Sequence, residues 1–171
     1  MTTTYPDVTM PYPGGVTEEA GPSGGGYQGA VELLGGWRVL HRVLLGPLDA
    51  HELIADGLPA EALSFLIENL SVLRDDASIE KATGMSVRTY QRRKEASAKP
   101  LNAEQSGRTW KFAEILARAT TIFGSQQDAE RWFEQPAIGL EQRRPIDLLT
   151  TPAGVRLVED FLQRVEYGVY T

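Results

Sequence analysis

The chain contains no cysteine and only two histidines. Disulfides and thiolate metal sites are therefore excluded. His41 and His51 show no ligand spacing such as His-x-x-x-His, so both read as surface or packing residues and no zinc site is expected. No window approaches the roughly 18 uncharged apolar residues that a membrane span needs. The N-terminus has neither the basic region nor the apolar stretch of a secretory signal. These absences fit a cytoplasmic protein. A Gly-x-x-x-x-Gly-Lys-Ser/Thr phosphate loop is also missing, and the Gly24-Gly25-Gly26 run lacks the preceding strand and following Lys that would make one. Acidic pairs at Asp75-Asp76 and Glu159-Asp160 fall at a helix start and on a solvent face, where they need no catalytic role. Nothing supports an enzyme, and no cofactor is expected. A net charge of −6 argues against a chain coated in nucleic acid, although an acidic protein can still carry a basic reading head.

What is present is an ordinary globular composition, 42% hydrophobic over 171 residues, enough for a core in one or two small domains. Residues 1–26 are rich in Gly, Pro, Thr and Ser and carry too little apolar surface to offset an ordering cost of roughly 1–2 kcal/mol per residue. They read as a disordered tail, or as one that docks on a partner through Tyr5, Tyr12 or Tyr27. Helical signals follow. Ala30–Leu34 ends at Gly35-Gly36, Asp49 caps Ala50–Asp56, and Pro59 opens Ala60–Leu70. Asp75-Asp76 leads a helix to Thr83, and Asn102 starts the longest one, Ala103–Phe123. Trp37–Leu45 stays open between a strand-like segment and a loop packed by Trp37 and Leu40. Trp110 and Trp132 read as packing anchors. No segment sustains strand alternation, so the expected fold is all-α.

Between Ile79 and Lys94 the chain reads helix, glycine turn at Gly84, then a helix from Val87 that Ser86 can cap. A helix-turn-helix uses such a glycine to bring two helices together at a steep angle, with the second in the major groove. Lys81, Arg88, Arg92, Arg93, Lys94 and Lys99 stand against Glu80 and Glu95, a local excess of positive charge in an acidic chain. Val87, Tyr90 and the stem of Lys94 share one face, expected to pack on the preceding helix. Arg88, Gln91 and Arg92 point away from it, and these residue types suit bidentate reading of guanine and adenine. Arg93, Lys94 and Lys99 are placed for phosphates. With Ser86 these residues form the candidate DNA-binding set. A solvated basic helix face would look similar, and two departures favour that alternative. Glu80 stands where such motifs normally take alanine, and Thr83 where they take a large aliphatic.

The last forty residues hold a short helix starting on Pro145 and a two-faced helix over Val155–Glu166, with Thr151-Pro152 as its start and Gly168 as its stop. Val155, Leu157, Val158, Phe161, Leu162 and Val165 fall in one arc of roughly 160°, and the Leu157/Phe161 side is expected to stay in the protein's own core.

The series Trp132-Phe133, Pro136, Gly139-Leu140, Arg144-Pro145-Ile146-Asp147-Leu148-Leu149, Gly154, Val158, Leu162 and Glu166-Tyr167-Gly168 closely resembles the toxin-binding domain of the Xre/MbcA/ParS family of bacterial antitoxins. Upstream, Leu33-Leu34-Gly35-Gly36, Gly57-Leu58-Pro59 and Arg88-Thr89-x-Gln91-Arg92-Arg93 are similar to that family too. The resemblance implies an organisation into a tail (1–26), an Xre-like helix-turn-helix region with its long connecting helix (27–123) and a C-terminal toxin-binding domain (124–171). It also implies a toxin partner of the RES-domain type, which consumes NAD, and an operator regulated by the complex.

A toxin pocket that binds NAD phosphates should present arginines. Glu166 and the Thr171 carboxylate are anions suited to it, and Tyr167 and Tyr170 suit its aromatic parts. The segment Glu166, Tyr167, Gly168, Val169, Tyr170 and Thr171 is thus the candidate toxin-binding set. A homodimer within a hetero-oligomer is expected, since helix-turn-helix proteins read paired half-sites, and no membrane partner is expected. Two alternatives stay open: a regulator whose C-terminal domain only dimerises, and an adaptor for a polar or cytoskeletal partner.

Overall fold

The computed structural model describes residues 24–95 and 99–168, and the tail expected over 1–26 lies outside them up to residue 23. The described residues form ten α-helices: α1 (Gly24–Leu33), α2 (Gly36–Leu40), α3 (Pro47–Asp56), α4 (Ala60–Asn69), α5 (Asp76–Thr83), α6 (Val87–Glu95), α7 (Ala103–Phe123), α8 (Gln126–Glu134), α9 (Pro145–Leu148) and α10 (Pro152–Glu166). Short 3-10 turns lie at Ser71–Leu73 and Ile138–Leu140. The architecture is all-α, as expected.

Local chemistry sets most helix ends. Asn102 caps α7 by accepting the N–H of Gln105 at 2.8 Å, and Gly124 closes it in the left-handed region at φ 87°. Ser125 caps α8 and Thr151 caps α10 in the same way. Asp49 acts from inside the first turn of α3, its carboxylate accepting the N–H groups of Leu45 and Gly46 at 2.6 and 3.0 Å. The helix thus starts at Pro47, earlier than a cap at Asp49 suggested.

Helix α7 is the axis of the molecule, with α1, α3, α5, α8 and α10 all packed on it. One buried cluster runs from Ala30 in α1 through Leu66, Leu116 and Phe133 to Leu162 in α10. Phe112 of α7 and Phe133 of α8 meet edge-on at 5.6 Å at its centre.

Two expectations need correction. First, α1 reaches back to Gly24, into the segment read as tail. Its glycines serve close packing: a Cβ on Gly29 would lie 2.5 Å from Cβ of Ala117, and one on Gly26 3.3 Å from the carbonyl of Glu114. Glycine costs about 1 kcal/mol in a helix interior, yet here only glycine lets α1 lie against α7. Tyr27, considered above for a partner, instead packs on Trp110 at 5.8 Å and donates its hydroxyl to the Gly46 carbonyl at 2.8 Å. Second, the open segment after Gly36 is the short helix α2, which buries Leu40 but leaves Trp37 60% exposed under the Arg38 guanidinium. Among the described residues no helix is long and apolar enough to cross a membrane.

Candidate nucleic-acid interface and C-terminal surface

Helices α5 and α6 flank a turn at Gly84, where φ is +72°. A Cβ there would lie 2.7 Å from the guanidinium of Arg108, which reaches from α7 and donates to the Lys81 carbonyl at 2.8 Å. The turn is therefore conformationally a glycine site, and any Cβ there would also displace the Arg108 side chain. Both departures from the usual motif are accommodated. Thr83 is buried, but its hydroxyl donates to the Ile79 carbonyl at 2.7 Å and accepts the Met85 N–H at 3.2 Å, so no polar group is stranded. Glu80 is exposed, so its charge carries no burial cost. Asp75 caps α5 through the Ser78 N–H at 2.9 Å, and that hydrogen bonding holds its carboxyl below the usual range.

The candidate DNA-binding residues separate into two groups. Arg88, Gln91 and Arg92 occur at helical spacing on the exposed side of α6 and form no hydrogen bond among the described residues; Lys99 is also exposed. Ser86 caps α6, accepting the Thr89 N–H at 3.4 Å. Arg93 and Lys94, read as phosphate contacts, are engaged within the fold. Arg93 donates to the carbonyls of Pro100 and Lys99 at 3.0 and 3.4 Å and to the Gln105 side chain at 3.3 Å, tying α6 to the start of α7. Lys94 pairs with Glu68 at 3.2 Å, and the Tyr90 hydroxyl lies 3.5 Å from that of Ser64. The inner face of α6 thus rests on α4 as well as on the preceding helix. Glu68 and Ser64 are far upstream in the chain, which is why periodicity within α6 could not reveal them.

Lys81, counted with the basic cluster, pairs across to Asp147 of α9 at 2.6 Å. Asp147 also accepts two hydrogen bonds from Arg144, at 2.8 and 2.9 Å. This links the helix-turn-helix to the C-terminal segment. The Arg144 hydrogen bonds hold the Asp147 carboxyl below its usual range, partial burial works against them, and Lys81 adds to the lowering.

A carboxyl whose folded pKa is depressed contributes stability above its unfolded value, near 3.9, and loses it as pH falls through the folded value. Asp147→Asn should therefore cost a modest amount at pH 7, below about 1 kcal/mol for so solvent-accessible a pair. The cost should vanish in acid. Melting curves from pH 7 to 2.5 check this: the two proteins should converge at the acid end, and parallel curves throughout would refute the linkage.

Toward the C-terminus, Gly154 lets the start of α10 sit directly on the Leu148 carbonyl, which occupies the place a Cβ would take. Thr151 accepts the Gly154 N–H at 3.1 Å, and Val158 and Leu162 are fully buried. Phe161 stacks on Trp132 with centroids 5.7 Å apart and planes 10° from parallel. Glu130 went unnoticed in the sequence. It is buried, accepting the Val72 N–H at 2.9 Å, the Ser71 hydroxyl at 2.5 Å and the Gln126 amide at 2.8 Å, which fastens α8 to the turn at Ser71–Leu73. A glutamate in an amphipathic helix ordinarily marks the solvent side, and only its position one turn before Phe133 hinted otherwise.

In the candidate toxin-binding set, Glu166 accepts both Nε and Nη2 of Arg118 on a single oxygen, at 3.1 and 2.6 Å, so much of its charge is spent within the fold. Tyr167 is 55% exposed, Gly168 ends the helix at φ +66°, and Val169, Tyr170 and Thr171 lie outside the described residues. The expectation that Leu157 stays in the core is wrong: it is 54% exposed. The buried stripe of α10 follows Gly154, Val158 and Leu162, and Leu157 stands about 100° round the helix from Val158, at the edge of the apolar arc.

Residues 118–168 match the family model described as the antitoxin Xre/MbcA/ParS C-terminal toxin-binding domain, and residues 49–114 match the antitoxin Xre-like helix-turn-helix domain. The chain is 31% identical to an Antitoxin Xre of Pseudomonas putida, over 73% of its own length and 76% of the relative's. It is 28% identical to an Antitoxin Xre of Photorhabdus laumondii, over 68% of its length and 78% of that protein's. A third Antitoxin Xre, from Yersinia enterocolitica, is 33% identical over 56% of this chain and 64% of the relative.

Proposed function

The chain belongs to the Xre/MbcA/ParS family of antitoxins, and from that premise we propose that it neutralises a RES-type, NAD-degrading toxin by occluding the toxin's active site and represses its own operon. The observation that carries the reading is the union, in one body, of a helix-turn-helix with an uncommitted Arg88, Gln91 and Arg92 face and a toxin-binding domain. Two copies would present paired recognition helices to an operator with two half-sites. Repression and neutralisation then belong to one assembly.

Residues Val169 to Thr171 are proposed to enter or rim the toxin's active site, with Tyr167 at its edge. In support, α10 is capped, seated on Val158 and Leu162 and pinned at Glu166 by Arg118, so the chain leaves it in a set direction. A segment launched from a rigid element loses less freedom on binding than one launched from a loop. Because Glu166 is taken up by Arg118, the contribution of this segment rests on the residues after it. Co-expressing the toxin with a chain ending at Gly168 separates binding from occlusion. The shortened chain is expected to bind the toxin but to fail in protecting growth and cellular NAD. Full protection by the shortened chain would mean that inhibition comes from another surface.

A further inference from the structure

Within the toxin-binding domain, residues 118–168, the large apolar side chains exposed among the described residues are Ile138, Leu157 and Tyr167, at 85%, 54% and 55% exposure. Leu157 and Tyr167 line one open groove along α10 together with Asp160, Gln163 and Arg164. Ile138 belongs to the 3-10 turn whose next residue, Gly139, lies against the Phe161 ring, so closely that a Cβ would overlap it. That turn therefore rests on α10 one helical turn from Leu157.

The footing of this surface is rigid. Phe161 stacks on Trp132, and Trp132 in turn packs on Phe123 and Phe133. The turn is closed by the Ala137 and Arg143 backbone pair, with Glu141 and Gln142 both in the left-handed region at φ 54° and 62°. Apolar side chains held out on a braced frame have the form of interface anchors: they give up little freedom on docking, and they expose area with no internal use.

We propose that Ile138, Leu157 and Tyr167 form the primary docking ridge for the toxin, a contact distinct from the occluding segment that follows Gly168. The inference rests on the antitoxin reading above. The ridge ends at Tyr167, two residues before Val169 in the chain, so a partner seated on it is near in sequence to the segment proposed to occlude its active site. Asp160, Gln163 and Arg164 interleave with the apolar groups. Such a mixed apolar and charged surface fits a separate protein better than a second copy of this chain, because homodimer interfaces are more uniformly apolar. The arc of α10 is wide because the helix serves two interfaces, with Val158 and Leu162 turned to its own core and Leu157 to the partner.

The test uses the full chain co-expressed with the protein encoded by the adjacent reading frame. Leu157→Asp and Ile138→Asp are compared with the parent and with Leu48→Asp, which alters an exposed leucine outside the toxin-binding domain. Melting temperature and native mass are measured for each. Leu157→Asp and Ile138→Asp should each retain at least about tenfold less toxin, with melting temperatures and antitoxin mass unchanged, while Leu48→Asp retains as much as the parent. Parent-like retention by both ridge variants overturns the proposal. So does a fall in the antitoxin's own mass with toxin still bound, which would assign the ridge to a second copy. If the folded parent itself retains no toxin, the reading of neutralisation by contact fails, and the ridge with it.

Discussion

Alanine at both Arg88 and Arg92 should weaken operator binding by roughly two to four orders of magnitude, from about 1–3 kcal/mol at each position. Both side chains stand on the exposed side of α6 with no internal hydrogen bond among the described residues, so their loss removes base contacts and leaves the fold intact. Each single change should blur preference at particular base pairs. Lys99→Ala should behave differently, weakening all duplexes about equally and reducing the salt slope by about one unit. Arg93→Ala should act mainly through stability, because Arg93 spends its donors on the carbonyls of Pro100 and Lys99. Gel-shift titrations at several salt concentrations, beside melting curves, separate these behaviours. If the Arg88/Arg92 double variant binds the operator like the parent, α6 is not the recognition helix.

Phe133→Ala should be the most damaging single truncation, costing about 3–5 kcal/mol of a total that is typically only 5–15. Phe133 is fully buried and lies edge-on to Phe112 of α7 at 5.6 Å and to Trp132 at 5.1 Å. At about 2–4 °C per kcal/mol for a chain of this size, the melting temperature should fall by roughly 6–20 °C. The transition should remain single, with the helix-turn-helix and the C-terminal helices melting together, because one buried cluster spans both. Two resolved transitions in the parent would show that the two halves unfold independently and that Phe133 serves only one of them.

What could be read from the sequence followed from how local the determinants are. Helix α7 was legible end to end because Asn102 and Gly124 act on their own neighbours, and the Thr151 cap of α10 is equally local. The helix–glycine–helix order of α5 and α6 and the outward set of Arg88, Gln91 and Arg92 followed from spacing alone. What failed depends on partners remote in the chain. Gly26 looked like tail because its use is to admit Glu114, and Lys81 counted only toward the basic cluster because its acceptor, Asp147, lies in α9. The acceptors of Arg93 at Lys99 and Pro100, and of Lys94 at Glu68 in α4, lie outside α6 and were likewise not legible from spacing within it. Leu157 failed differently. An apolar arc shows which residues avoid water but not how much of it the fold itself covers, and here the turn at Ile138–Leu140 leaves Leu157 uncovered.

The central claim is that this chain disables a toxin by holding it. The most direct measurement is the native mass of what purifies with the full chain when it is co-expressed with the protein encoded beside it, together with growth of the producing cells. A complex containing both proteins, with growth restored relative to the toxin alone, is the predicted result. A chain that purifies alone, from cells no healthier than those making only the toxin, would contradict it.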